Sequence, residues 1–402
     1  PAASVPLYDS VRELVPGTDL ASRAAYWGAR AVEATGDAES ASLRYVALVS
    51  SFPESQFAPE AAFRAGCVWF QSGNANRALA IWDGAAAAAD ARVLYWTGRA
   101  YELTGQTSLA TGAYEQAARE TSFYGSEASR RMASTPQTFP GYAPLRDRAA
   151  PDWTEVEAWY TSHAGAAAPS FRTLTAAGVL ASLGLRSDAE AALNAVADTK
   201  SSTAVLLMLV REASEANLAR SATMLLQRLL AFYPTPYEAL PPALQQVLYP
   251  IPFPSLLDEQ ARNYGIDPLL LAALVRQESL WDPGAVSFAG ALGLTQVMPT
   301  TGLDIARALG VDPFDPSSLF DPTRSMRFGA YHLAKQLDAL LVPAAALAAY
   351  NGGHRNAIYW ASLHDPAADP AAYLEAITFP ETHRYVELVL TGYVRYHALS
   401  SP

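Results

Sequence analysis

Cysteine is almost missing from this 402-residue chain: Cys67 stands alone. An internal disulfide is therefore excluded, and a single thiol among Phe63, Val68, Trp69 and Phe70 reads as a small core residue. Oxidising and reducing compartments both stay open. The six histidines, at 163, 332, 354, 364, 383 and 397, are scattered and form no HExxH or Cys-His cluster, which argues against a metal site. Charge is also sparse, at 17% of residues, and its balance is acidic: 28 basic and 39 acidic side chains leave −11. With no basic cluster to offset that sign, nucleic acid is a poor candidate partner. No apolar run approaches the roughly 20 residues of a membrane span, the longest being short segments such as Val205–Val210, so no transmembrane segment is expected. The chain starts at Pro1 with neither an initiator Met nor a signal peptide, and whether a targeting segment or lipid anchor was removed stays open.

What is present is apolar and helical. Half of the residues are hydrophobic, enough for a folded chain, and the length suggests two or three packed units. In the first half, Tyr26-Trp27-Gly28-Ala29 leads to Thr35-Gly36-Asp37, Phe63-Arg64-Ala65-Gly66 to Ser72-Gly73-Asn74, and Tyr95-Trp96-Thr97-Gly98 to Thr104-Gly105-Gln106. An aromatic then a small residue in a first helix, a glycine turn and an Ala-rich second helix, repeated at intervals of 37 and 32 residues, mark tetratricopeptide-like helical repeats. The Ala-rich run Gly84–Ala89 reads as a tight helix interface. Residues 1–133 are expected to form a superhelical arm, 134–152 a Pro-rich connection and 153–247 a second helical segment. Within that segment, Leu174–Gly184 leads into Ala189–Ala197, and Ala204–Arg211 pairs with Leu218–Phe232. A second proline-rich stretch, Pro234–Pro254, precedes the last domain, 248–402.

That domain is organised around one carboxylate. Asp267-Pro268 is an N-cap followed by a proline at the first helical position, and Leu269 to Ser279 continue as a helix. At about 100° per residue, Leu271, Leu274, Val275 and Glu278 share a stripe, so the acid lies on a face that should point inward. Partial burial disfavours the charged form and keeps a Glu protonated as a general acid near neutral pH. The bland alternative is a Glu on the solvated end of the helix, beside Arg276 and Gln277.

The residues that follow favour the first reading. Glu278-Ser279, Ser287, Gly290-Ala291, Gly293-Leu294, Gln296 and Met298-Pro299, in that order and spacing, resemble the catalytic domain of soluble lytic transglycosylases, lysozyme-like enzymes that cleave the glycan strands of bacterial peptidoglycan. The resemblance extends to the lead-in Leu248-Tyr249-Pro250-Ile251-Pro252-Phe253, to Ala349-Tyr350-Asn351, and to Glu381-Thr382 with Tyr385-Val386. It covers residues 248 to 397 specifically and the N-terminal helices in architecture only. It implies a mostly α chain: a tetratricopeptide-like superhelix, then a lysozyme-like, predominantly helical α+β domain with a small β element around Ser287–Leu294. Helices are expected over Thr300–Gly310, Met326–Leu341, Pro343–Tyr350 and from Glu381 to about His397. Asp312–Pro322 should be a turn-rich loop.

The resemblance implies that Glu278 is the catalytic residue, acid and then base. Ser287, Gln296, Met298, Tyr350, Asn351 and Glu381 would bind substrate, with Ser279, Gly293 and Tyr385 in support. Glu381 in the first turn of a helix is also explained by the macrodipole alone, and Tyr350 by a place in the core at a helix end. Five residues depart from the family pattern. Thr295 stands where methionine is usual, weakening an apolar contact with a sugar face. Ser325-Met326 replaces Asn-Ile, His332 replaces Tyr, and His383 replaces Arg, putting its ion pair in doubt. No second acid at the roughly 5 to 9.5 Å a two-carboxylate hydrolase requires is evident in these motifs. The resemblance implies a non-hydrolytic reaction, giving 1,6-anhydro products without cofactor or metal, in the periplasm or cell envelope. Glycan strands are the implied partner, with cell-wall synthesis proteins as candidates for the arm. Two alternatives remain: a hydrolytic muramidase on the same fold, and a non-catalytic helical scaffold binding glycan or protein.

Overall fold

The computed structural model describes residues 2–83, 90–134, 141–148, 150–165, 167, 176–197 and 202–400. The run Gly84–Ala89, the start of the helix expected from Leu174, and residues 135–140 and 149 of the Pro-rich connection lie outside them. The described regular structure is helical, and its β content is two isolated antiparallel bridges, Val286 with Leu292 and Leu292 with Val297. Two compact units emerge: Pro1–Glu120 with Tyr124–Pro136, and Gln137–Pro402 with Thr121–Phe123.

In the first unit, the helices Asp19–Glu33, Ala38–Ser51, Ala58–Gln71, Ala75–Trp82, Ala91–Leu103 and Thr107–Ala117 each pack on the next in sequence. Gly36, Gly73 and Gly105 make the turns at φ +82°, +82° and +76°, which a residue with a Cβ adopts only at a cost. The small residue of each repeat has a packing reason too. A Cβ on Gly66 would sit 2.4 Å from the indole of Trp82, and one on Gly98 2.5 Å from the ring of Tyr114. In these two repeats the first helix receives the aromatic of the second, whereas Gly28 faces Tyr8 of the preceding helix. Charges are buried in pairs: Arg64, 3% exposed, bonds Glu33 at 2.8 Å and Glu60 at 2.7 Å, and Arg92 bonds Glu60 at 2.6 Å. Buried ions stay charged when each finds a partner. Cys67 is buried, as its neighbours suggest.

In the second unit, helical hairpins resume with Trp153–Ala164, Ala176–Ser182, Arg186–Val196, Thr203–Glu215 and Ala219–Phe232. Their core includes Trp159, Leu206, Val210, Leu226 and Leu229 and runs on into Leu244 and Val247. The stretch Pro234–Pro254 is more ordered than its prolines suggest: Pro242–Leu248 is a helix with proline in its first turn, where the missing N–H costs nothing.

The same device recurs in the rest of the unit. Helices Pro254–Tyr264, Pro268–Ser279, Pro299–Ala308, Pro322–Leu340, Pro343–Gly352, Pro370–Ala376 and Pro380–Ser400 all open on proline, and His354–Leu363 alone does not. Three of these helices are capped by an aspartate side chain: Asp267 accepts from Leu269 N, Asp321 from Arg324 N, and Asp369 from Ala372 N. The Asp321 cap corrects an expected boundary, since the helix expected from Met326 begins at Pro322 and buries Ser325 and Met326. The helix expected over Thr300–Gly310 runs Pro299–Ala308. The small β element is reduced to the two bridges, because the loop turns too tightly for a ladder to extend. Helix Pro268–Ser279 is central, with every residue from Leu269 to Val275 buried, and it packs on Pro380–Ser400.

Candidate active site

Glu278 lies one residue before the end of the central helix, partly open to solvent while the residues up to Val275 are enclosed. Tyr385 donates a hydrogen bond to its Oε1 at 2.6 Å. Burial raises the carboxyl to about 7, and the Tyr385 bond, which favours the ionised form, opposes that rise. Neither influence is a second carboxylate. The helix Pro380–Ser400 supplies further phenols: Tyr393 donates to the Asp267 cap at 2.6 Å, and Trp281 Nε1 donates to Tyr396 at 3.3 Å.

The loop after the helix is built from short bonds. Ser279 Oγ donates to the carbonyl of Leu294 at 2.8 Å. Ser287 accepts the Ala291 N–H on its Oγ at 2.9 Å while its own N–H bonds Ala291 O at 3.0 Å. Gln296, at φ +48°, gives its amide hydrogens to Gly293 O at 2.8 Å and Ala285 O at 3.1 Å. Gly293 has φ +73°, and a Cβ there would lie 1.9 Å from the carbonyl of Leu319. Met298 is exposed at the start of the next helix.

Two phenols approach the acid in different ways. Tyr350 donates to the carbonyl of Thr295 at 2.8 Å, and its proton is held first by burial and then by the negative charge of Glu278. The direct bond to Glu278 comes from Tyr385, which the sequence places only in a supporting role. The Tyr350 ring packs on His332, with centroids 4.8 Å apart, and burial with Lys335 nearby pushes that imidazole down to about 4. Asn351 is exposed, with its Oδ1 taken by Thr382 Oγ1 at 2.7 Å. Glu381 is exposed in the first turn of its helix.

The departures from the family pattern resolve into pairs. Thr295 is fully buried, so its side chain cannot meet a sugar face; its Oγ1 donates to Ser325 O at 2.8 Å, and its N–H reaches Ser325 Oγ at 3.2 Å. Ser325 therefore keeps a bonding role, with the other departure as its partner. Gly329 makes this contact feasible, because a Cβ there would lie 2.3 Å from Thr295. His383 Nε2 lies 3.4 Å from Glu375 Oε2, both side chains being buried. Thr382 entered the sequence pattern only as part of the Glu381-Thr382 pair, without a site role, and Trp281 did not enter it. Their signal was their place, beside Glu381 and three residues after Glu278.

A single, largely buried glutamate at the end of a central helix, with a glycine-rich loop folded against it, defines a lysozyme-like domain. Residues 255–369 match the transglycosylase SLT domain family. The soluble lytic murein transglycosylase of Salmonella typhimurium strain LT2 is 30% identical over 146 residues, 35% of this chain and 22% of that protein. That of Escherichia coli K12 is 29% identical over 160 residues, 38% of this chain and 24% of that protein. Among solved structures, an inactive mutant of lytic transglycosylase Slt from Pseudomonas aeruginosa matches 98% of this chain and 60% of its own, with TM-score 0.69 and 22% identity. The 70 kDa soluble lytic transglycosylase of Escherichia coli matches 100% of this chain and 67% of its own, with TM-score 0.61 and 18% identity. The chain carries a transglycosylase SLT domain over residues 255–369, and its sequence similarity to these soluble lytic transglycosylases covers 35 to 38% of the chain. It covers about a quarter of the length of these two relatives. The fold is shared more widely: tetratricopeptide-like helices followed by a lysozyme-like domain. No helix among the described residues is long and apolar enough to cross a membrane.

Proposed function

We propose that the protein is a lytic transglycosylase that cleaves the β-1,4 bond between N-acetylmuramic acid and N-acetylglucosamine of peptidoglycan in the cell envelope, with Glu278 as acid and then base. The observation that carries this reading is the placement of Glu278 at the end of the buried central helix, its Oε1 bonded by Tyr385 at 2.6 Å, where burial pushes the carboxyl up to about 7. An acid titrating near the working pH gives up and takes back a proton with similar ease. Glu278 protonates the glycosidic oxygen; the substrate's 2-acetamido group stabilises the charge developing at C1. The carboxylate then removes the proton of the muramyl 6-hydroxyl, whose oxygen bonds C1 and closes the 1,6-anhydro ring. Tyr385, bonded to Oε1, stabilises the anion between the two steps and leaves Oε2 to carry the proton. Ser287 and the Oε1 of Gln296 suit acetamide and hydroxyl groups, Met298 offers an apolar edge, Asn351 and Glu381 present polar ends, and Tyr350 braces the loop at Thr295.

The test is mass spectrometry of products released from purified peptidoglycan by the native chain and by Glu278→Gln. Muropeptides lighter by one water, absent with the variant, are expected. Reducing-end products would replace this reading with hydrolysis, and equal release by both forms would remove Glu278 from the chemistry.

A further inference from the structure

We propose that Trp281 is a positioning residue for Glu278, locking the end of the acid helix to the lead-in segment Pro250–Phe253 through Tyr396. The proposal rests on the reading of Glu278 as the reacting acid. It starts from the backbone. The helix ends through two consecutive left-handed residues that are not glycine, Leu280 at φ +50° and Trp281 at φ +66°. A Cβ makes this region costly, and such residues persist where the surroundings over-determine them. The neighbouring helix Pro254–Tyr264 ends on Gly265 in the same region, so a path free of strain was open to this chain.

What holds the turn is the side chain of Trp281. It is fully buried, its ring centroid lies 6.3 Å from that of Phe253, and its Nε1–H donates to Tyr396 at 3.3 Å. Tyr396, also fully buried, donates in turn to the carbonyl of Pro250 at 2.8 Å. Between the acid and this turn, Ser279 is tied to Leu294. Glu278 thus sits just ahead of two anchors, at the next residue and at the third. Tyr396 and Tyr385 project from the same face of one helix, eleven residues or about three turns apart. The helix that bonds the carboxyl therefore also bonds the turn behind it. A shift of the turn moves the carboxyl relative to Tyr385, and displacements of about 1 Å at a reacting group cost about a hundredfold in rate.

The experiment uses the full chain carrying Tyr396→Phe, which removes both bonds of the relay, and Trp281→Phe, which keeps an aromatic ring and leaves Tyr396 bonded to Pro250. Two readouts are taken: the carboxyl titration of Glu278 by carbon NMR, assigned against Glu278→Gln, and kcat and KM on peptidoglycan fragments. Expected are a Glu278 titration moved up, because the displaced carboxyl loses the Tyr385 bond that favours its anion, and a kcat lower by about ten- to a hundredfold, with KM changed by less than about twofold. Variants that fold and melt at lower temperature, yet keep the native Glu278 titration and kcat, would overturn the proposal and leave Trp281 a core residue. If Tyr396→Phe fails to fold, Trp281→Phe decides on the same readouts. Should the native chain release no anhydro product, the functional reading falls, while the titration still decides whether Trp281 controls the carboxyl.

Discussion

Glu278 stands between two opposing influences, burial lifting its carboxyl to about 7 and the Tyr385 bond lowering it. Tyr385→Phe removes the influence that favours the anion, so the pKa should rise further. A hydrogen bond to a charged group contributes about 1.5 to 3 kcal/mol, and about 1.4 kcal/mol corresponds to one pH unit. The alkaline limb of the kcat profile is therefore expected to move up by about one to two pH units. An unmoved limb would take the phenol out of the acid's control. The raised carboxyl has a second consequence, for stability. Its folded form holds the proton more tightly than the unfolded chain, so its stabilising contribution is complete below the ordinary value of 4.5 and is lost as pH rises through about 7. At pH 8 the loss is about 2 to 3 kcal/mol, discounted for the partly open side chain. Glu278→Gln should thus melt higher than the native chain at pH 8 and alongside it at pH 4.5, by calorimetry. Coincident melting at both pH values would mean that the carboxyl titrates at its ordinary value.

At the scale of elements, the loop Ala285–Val297 keeps its shape through small residues that let it touch the helix Pro322–Leu340. Gly329→Ala would press a Cβ against the Cβ and Oγ1 of Thr295, and no rotamer relieves a collision with a Cβ. The helix must retreat and stretch the bonds between Thr295 and Ser325. A loss of about 1 to 3 kcal/mol is expected, read as a lower denaturant midpoint, with Thr295→Gly in the same chain recovering part of it. No loss would show that the helix has room to move. Elements of this kind were legible where a local device fixes them. Asp267-Pro268 announced its helix because cap and proline act within one turn. Pro242–Leu248 and the early start at Pro322 were hidden by the same residue type, since proline marks both a loop and a first helical turn. Side-chain partners were the least legible: whether Tyr350 or Tyr385 bonds Glu278 depends on how helices far apart in sequence pack. That Thr295 and Ser325 answer each other follows from a contact across thirty residues, which no local pattern encodes.

At the scale of the molecule, the lead-in to the acid helix is held from both sides of the expected boundary at residue 248. Arg148 donates to Tyr249 O at 2.7 Å, Asn217 to Pro252 O at 3.1 Å and Thr223 to Val247 O at 2.9 Å. From the other side, Arg276 donates to Leu248 O at 2.6 Å and Arg395 to Tyr249 Oη at 2.6 Å. A fragment 248–402 keeps only the second set and bares the apolar surface that Leu244 and Val247 share with the helices before them. Each lost bond contributes about 0.5 to 1.5 kcal/mol. Together with the exposed apolar area the loss reaches several kcal/mol, a large part of the roughly 5 to 15 kcal/mol that holds a domain folded. A fragment 137–402 keeps both sets. It should therefore melt in one transition above that of 248–402 and turn over soluble muropeptides faster, because the turn at Trp281 leans on Pro250 and Phe253. If 248–402 matches it in midpoint and in kcat, the helices from 153 to 247 neither stabilise the lead-in nor, through it, the acid.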